Sequence, residues 1–205
     1  TEEQVILDST PSAIDPVAFR EFLAKQGLDV SGEPQPAFER DLRNRGIVDE
    51  EDGKLLATLY GLLCFGKDPQ GFVLTSNAWI DCVAYAGSDR ADEVILTGKA
   101  TGRVNEQVER AMGWIQALGI QERYGPIERT DRSVVPPRAL REAIVNAVAH
   151  RDYAVLGSKV LLEVFQDRVV ITSPGELPNN MRIASVLAGG HPRSRNELIA
   201  NYLMV

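Results

Sequence analysis

Three polar residues, Glu142, Asn146 and His150, recur every four positions in the stretch REAIVNAVAHRDY, residues 141–153. At about 100° per residue each step of four advances by only about 40°, so the three line one stripe of a helix. Leu140, Ala143, Ile144 and Ala147 form a second, apolar stripe suited to a core. Asparagine is a weak helix former, because its amide competes for backbone hydrogen bonds. Its place on the polar stripe, one turn from an acid, therefore points to chemistry. A carboxylate and an amide at this spacing offer oxygen ligands to a hard cation such as Mg2+, and the carboxylate can also orient a water. The plainer alternative is a solvated face with an i,i+4 hydrogen bond between Glu142 and Asn146, and an ordinary boundary histidine at 150. His150 and His191 are the chain's two histidines, and without thiolate partners they do not make a structural zinc site.

A helix opening at Pro137, whose missing N–H costs nothing in a first turn, must carry the stripe. Behind it, KVLLEVF (159–165) reads as a strand buried on both faces, and RVVIT (168–172) returns after a tight Gln166-Asp167 corner as an antiparallel hairpin. SPGELPNN (173–180) is a turn, MRIASVLAGG (181–190) a short helix, and HPRSRNELIANYLMV (191–205) a basic turn running into a last helix. Upstream, DPVAFREFLAKQG (15–27) spaces Val17, Phe19, Phe22 and Leu23 near the helical period, with Gly27 as a C-cap. PQPAFERDLRNRG (34–46) repeats that logic with Phe38, Leu42 and Gly46. A turn at Asp52-Gly53 leads to an apolar segment, and residues 72–87 and 92–102 alternate like strands. Residues 104–118 form an amphipathic helix with Val104, Val108, Met112, Ile115 and Leu118 on one stripe; RYGPIERTDRSV (123–134) is a polar linker. Helices mixed with antiparallel pairs make the expected class α+β.

The composition, 44% hydrophobic and 25% charged over 205 residues, is ordinary globular usage. No run of about 18 apolar residues is present to cross a membrane, and the start lacks the basic-then-apolar build of a signal peptide. Cys64 and Cys82 lie in apolar stretches without metal or redox spacing, as expected of buried thiols in a reducing cytoplasm. A net charge of −7 argues against broad nonspecific nucleic-acid binding. Residues 36–60 have the helix-then-hairpin outline of a winged-helix element, but AFERDLRNRG carries the acids of an ordinary exposed face. LTGKATGR (96–103) only approximates a phosphate-binding loop, so no helicase motor is expected. The opening Thr-Glu-Glu reads as a piece of a longer chain.

The spacing Glu142-x-x-x-Asn146-Ala147-x-x-His150 resembles the N-box of the GHKL (Bergerat-fold) ATPases, the superfamily of histidine kinases and DNA gyrase. A wider set of blocks is similar to one branch. PPRALREAIVNAVAHRDY (136–153), VFQDRVVITSPGELP (164–178) and SRNELIA (194–200) look like the C-terminal ATPase-like domain of bacterial RecG-like proteins, a family of transcriptional regulators. GLLCFGKDPQG (61–71) looks like a segment upstream of that domain. The resemblance covers about residues 55–205. It implies a GHKL-like α/β sandwich over 136–205, preceded by a mainly helical connector (1–54) and a mixed strand and helix region (55–135). It also implies ATP and Mg2+ as cofactors, with Asn146 as metal ligand and Glu142 as general base in members that hydrolyse ATP. His150 would lie near the phosphates with Arg151 beside it, and Ser173 and Gly175 would stand at the adenine. DNA contacts are implied for parts of the full protein outside this chain, beyond the Schlafen/AlbA-type domain with which such proteins begin.

Departures limit the transfer. The family's adenine motif is D-x-G-x-G, and here the place reads Ser173-Pro174-Gly175-Glu176-Leu177. One glycine survives, a hydroxyl stands for a carboxylate and accepts more weakly, and a proline removes a donor. The glycine-rich lid has no counterpart, Gly189-Gly190 being too short, so turnover by this chain is not expected. The basic turn 191–195 could meet phosphates of a nucleotide or of DNA, or be a solvated loop with Ser194 or Asn196 capping the last helix. Asn196 fits the branch's RNP block, but Glu197 replaces its proline. The alternative function is non-enzymatic: a dimerisation or partner-docking scaffold that has lost its ligand, with the apolar tail LIANYLMV buried on a second copy.

Overall fold

Asp15 opens the first helix. Its carboxylate accepts the Val17 N–H at 2.9 Å and Pro16 fills the first position, so α1 runs Pro16–Lys25. The computed structural model describes residues 1–28, 35–119, 135–176 and 194–205. The expected linker at 123–134, the helix at 181–190, the Gly189-Gly190 pair and residues 191–193 lie outside them. Phe19 and Leu23 of α1 are buried, whereas Val17 is solvent-facing. After α2 (Gln35–Asn44), Gly46 at φ +69 turns the chain into a hairpin of β1 (Val48–Glu51) and β2 (Lys54–Ala57). Asp52 and Gly53, both at positive φ, supply a turn whose twist matches the paired strands. The short α3 (Leu59–Phe65) is buried all round. Its Gly61 is required by space, because a Cβ there would stand 2.0 Å from the Ile47 carbonyl oxygen.

A four-stranded sheet follows: β3 (Ile80–Tyr85), β4 (Val94–Ala100), β5 (Val160–Val164) and β6 (Val169–Thr172), in the order β4-β3-β5-β6. β3 and β5 are parallel and the other pairs antiparallel, including the expected β5–β6 hairpin. Strands from either side of residue 135 thus share one sheet. Ile80, Cys82 and Ala84 alternate into the core, where α4 (Val104–Ala117) and α5 (Pro137–Ala149) cover one face. The result is an α+β fold whose sheet and helices stack as an α/β sandwich.

Three local readings need correction. The strand-like stretch 72–87 contributes only residues 80–85 to the sheet. Residues 72–77 are turns, in which Thr75 donates its hydroxyl to the Phe72 carbonyl at 3.3 Å. Likewise 92–102 contributes only 94–100. On α5, Leu140, Ile144 and Ala147 are buried as expected, but Ala143 is exposed and Val148 and Ala149 are buried instead. The C-terminal turn of α5 is enclosed from more than one side, by α4, β6 and the last helix, α6 (Glu197–Leu203).

An N-terminal strap ties that last helix down. The Gln4 carbonyl accepts from Leu59 N and the Glu2 carbonyl from Tyr60 N, each at 2.8 Å. The Glu2 carboxylate then accepts the N–H groups of Leu198 and Ile199, each at 3.0 Å, capping α6 from 196 residues away in sequence. Burial outweighs these bonds and lifts the Glu2 carboxyl above its ordinary 4.5. A raised carboxyl binds its proton more tightly in the folded state, so this contribution is complete below 4.5 and fades as pH rises through the folded value. Glu2→Ala is therefore expected to cost about 1 kcal/mol at pH 7 and measurably more at pH 4.5, by urea unfolding at the two values. Both cysteines are buried and free, and burial pushes the Cys82 thiol up to about 12, leaving it protonated and unreactive. Among the described residues no helix is long and apolar enough to cross a membrane.

Candidate functional site

α5 presents its polar stripe as the spacing predicts. Glu142 and Asn146 are both exposed, and neither side chain has a hydrogen bond or ion pair among the described residues, so the bond between them is not formed. His150 ends the helix, donating its N–H to the Asn146 carbonyl at 2.9 Å. Its ring is half-buried. Burial first, and the nearby Arg195 charge second, pull its pKa below 6.5, so the imidazole is neutral at pH 7.

The next residues turn inward. Arg151 is 3% exposed, and its guanidinium donates to the carbonyls of Asn77 at 2.8 Å and Ser158 at 2.6 Å. It also lies over the Tyr153 ring, 5.0 Å from the centroid. Tyr153 is buried and donates its hydroxyl to the Val148 carbonyl at 3.2 Å. Asp152 pairs with Arg195 at 2.7 Å, and Arg195 also donates to the Glu176 carbonyl at 2.6 Å. Asn196 closes the group from beneath, its amide donating to the carbonyls of Ala149 and Arg151 at 2.9 and 2.8 Å. Those are the carbonyls an α-helix leaves unpaired as it ends. The HRDY residues and the segment before α6 are thus parts of one fastening.

The turn after β6 joins the same knot. Ser173 donates its hydroxyl to the Ala147 carbonyl at 2.7 Å, which leaves its lone pairs able to accept. The Pro174 carbonyl accepts from Asp152 N at 2.8 Å. Gly175 sits at φ +115, where a Cβ would come 2.6 Å from the Asp152 Cβ. Its missing side chain makes room for Asp152. The fold therefore gathers His150, Ser173, Gly175 and Arg195 at the C-terminal end of α5, beside the exposed Asn146. Glu142 lies one turn back along the helix, and Arg151 faces away, with NH1 and NH2 on main-chain carbonyls. Sequence reasoning gave Asp152 no role and expected Ser194 or Asn196 to cap the last helix, whereas the Asn196 amide closes the end of α5 instead. Nothing in the sequence links Glu2 to residue 198.

Among the described residues no three His, Cys, Asp or Glu side chains stand close enough to hold a metal. Mg2+ commonly takes one or two protein oxygens and completes its shell with phosphates and waters. One exposed amide with a carboxylate a turn away fits that mode, not a cage made of protein alone.

A sheet flanked on one face by helices, with the knotted turn at the strand end, makes an α/β sandwich. Residues 157–204 match the family described as "Putative ATP-dependent DNA helicase recG C-terminal", so this stretch, from just before β5 through α6, is RecG-C-terminal-like. The matched stretch includes Ser173 and Gly175 and begins after the Glu142–Arg151 stripe. The crystal structure of the DIP2311 protein from Corynebacterium diphtheriae is similar in fold, with a TM-score of 0.64 at 17% identity. The likeness covers 100% of this chain and 39% of that one. No curated protein matches the chain.

Proposed function

We propose that this chain is the HATPase-like module of a bacterial transcriptional regulator, and that it binds Mg-nucleotide as a signal without turning it over. The observation that carries this reading is the pairing of exposed Asn146 and Glu142, without side-chain partners among the described residues, with the hydrogen-bonded knot beside them. Asn146 would ligate the Mg2+ that accompanies the phosphates, and Glu142 would hold a water of its shell. Neutral His150 would donate to a phosphate oxygen from the helix end, and Ser173 would accept from the base. Arg151 acts through the fold, positioning this end of α5. Turnover is not part of the reading: nothing among the described residues excludes water over the phosphates. DNA would be contacted by other parts of the full regulator.

Calorimetric titration of Mg-ATP into the chain and into Asn146→Ala tests the assignment. Saturable heat that the substitution removes supports it, and equal heat from both chains contradicts it.

One observation favours a second reading, a docking scaffold that pairs two copies or holds a partner. The sheet edge at β4 exposes Val94, Ile95 and Leu96 in succession, which monomeric proteins usually cover or interrupt. A monomeric chain at high concentration by light scattering counts against self-pairing.

A further inference from the structure

An apolar cleft of about 170 Å3 opens at the end of the sandwich opposite the knot. It lies at the Gln166-Asp167 corner where β6 begins, whereas Ser173 follows the end of β6. At about 3.3 Å per residue, the four-residue strand separates the two places by roughly 10 Å or more. Met112 and Ile115 of α4 and Leu140 of α5 form one wall, with Ala84, Val164 and Phe165 of the sheet opposite. Phe165 stacks flat on Tyr85 with centroids 4.9 Å apart, which gives that wall a fixed aromatic surface.

The mouth is polar in a specific way. Asp167 and Arg168 pair with each other at 2.9 Å, and Arg168 lies over the Phe165 ring at 4.3 Å, so the rim carries no unpaired charge. The Gln116 and Gln166 side-chain amides line the same mouth and have no hydrogen-bond partner among the described residues. An apolar void of about 150 Å3 holds one benzene ring. Clefts with apolar walls and a few convergent polar groups are the usual form of small-molecule sites.

We propose that this cleft is a binding site for a neutral, single-ring aromatic molecule bearing one hydrogen-bonding substituent, distinct from the nucleotide edge. The ring lies between Met112 and the Tyr85–Phe165 stack, and the substituent meets the Gln116 and Gln166 amides. A charged ligand is disfavoured, because it would need to break the Asp167–Arg168 pair or leave its own charge unmatched. The size of such a ligand sets a dissociation constant on the order of 0.1–1 mM.

The test is NMR of the chain labelled at its methionine methyls, titrated with p-cresol. The Met112 methyl resonance should move saturably, while Met204, 78% exposed and outside the cleft, stays still. Ala86→Phe, at the cleft's exposed lip, should abolish the Met112 response while leaving the free-state spectrum folded. Gln166→Ala should weaken p-cresol binding several-fold while leaving toluene binding unchanged. A Met112 resonance that does not move up to 10 times the expected constant overturns the proposal, as does an equal response in wild type and Ala86→Phe. Neither result bears on the nucleotide reading, whose residues lie at the other end of the sandwich.

Discussion

Arg151→Met should lower the stability of the fold by roughly 3 kcal/mol, read from urea unfolding at 25 °C with an unchanged m-value. Methionine keeps most of the apolar stem, so the loss isolates the guanidinium. That group is buried and is held by two main-chain carbonyls, of Asn77 and Ser158, at 2.8 and 2.6 Å. Charge-assisted bonds contribute about 1.5–3 kcal/mol each, and removing them strands two acceptors away from water. Burying the cation works the other way and lowers the Arg151 pKa, which keeps the net below the sum of the two bonds. Arg151→Lys should recover less than half of the loss, because one ammonium cannot span both carbonyls as the planar fork does. A cost under about 1 kcal/mol would mean that the inward-turned arginine does not hold the knot.

Gly175→Ala should cost about 3 kcal/mol, a fall in Tm of roughly 6–12 °C for a chain of this size. Two effects add. At φ +115 the backbone lies where side chains are rarely tolerated, at about 1–3 kcal/mol. The new methyl also meets the Asp152 Cβ at 2.6 Å, and that atom belongs to the backbone end of a short side chain with little freedom to withdraw. Moving Asp152 stretches its bond to Arg195 and loosens the contact with the Pro174 carbonyl. If the glycine's room were kept for a nucleotide base alone, the same substitution would impair binding and leave Tm nearly unchanged.

Much of this architecture is legible in the residues, and the failures have physical causes. Period and capping locate α1, α4 and α5, and the tight corners after Asp52 and at Gln166-Asp167 locate both hairpins. These signals are local. The parallel pairing of β3 with β5 is not, because it joins strands that lie about 80 residues apart and no turn announces it. The strand pattern at 72–79 misleads because its apolar alternation does not mark a ladder. Val73 and Ser76 are solvent-exposed, and the Thr75 and Ser76 hydroxyls donate to the carbonyls three residues back, which closes turns instead. On α5 the wheel places Leu140, Ile144 and Ala147 correctly and misplaces Ala143, since a wheel cannot show where neighbouring elements end. At the site, spacing alone separated the exposed Glu142 and Asn146 from the core. Arg151 looked equally available. Only the fold shows that the carbonyls it binds belong to residues 77 and 158, and that Gly175 is shaped around Asp152.

The most direct test of the central claim is thermal unfolding of the chain and of Asn146→Ala with Mg-ATP, Mg-ADP and Mg2+ alone. At about 100 times its dissociation constant a bound nucleotide stabilises the folded state by roughly 2.7 kcal/mol, several degrees at this size. The account predicts such a shift with both nucleotides, none with Mg2+ alone, and its loss in Asn146→Ala. An identical shift in both chains, or none in either, would contradict it.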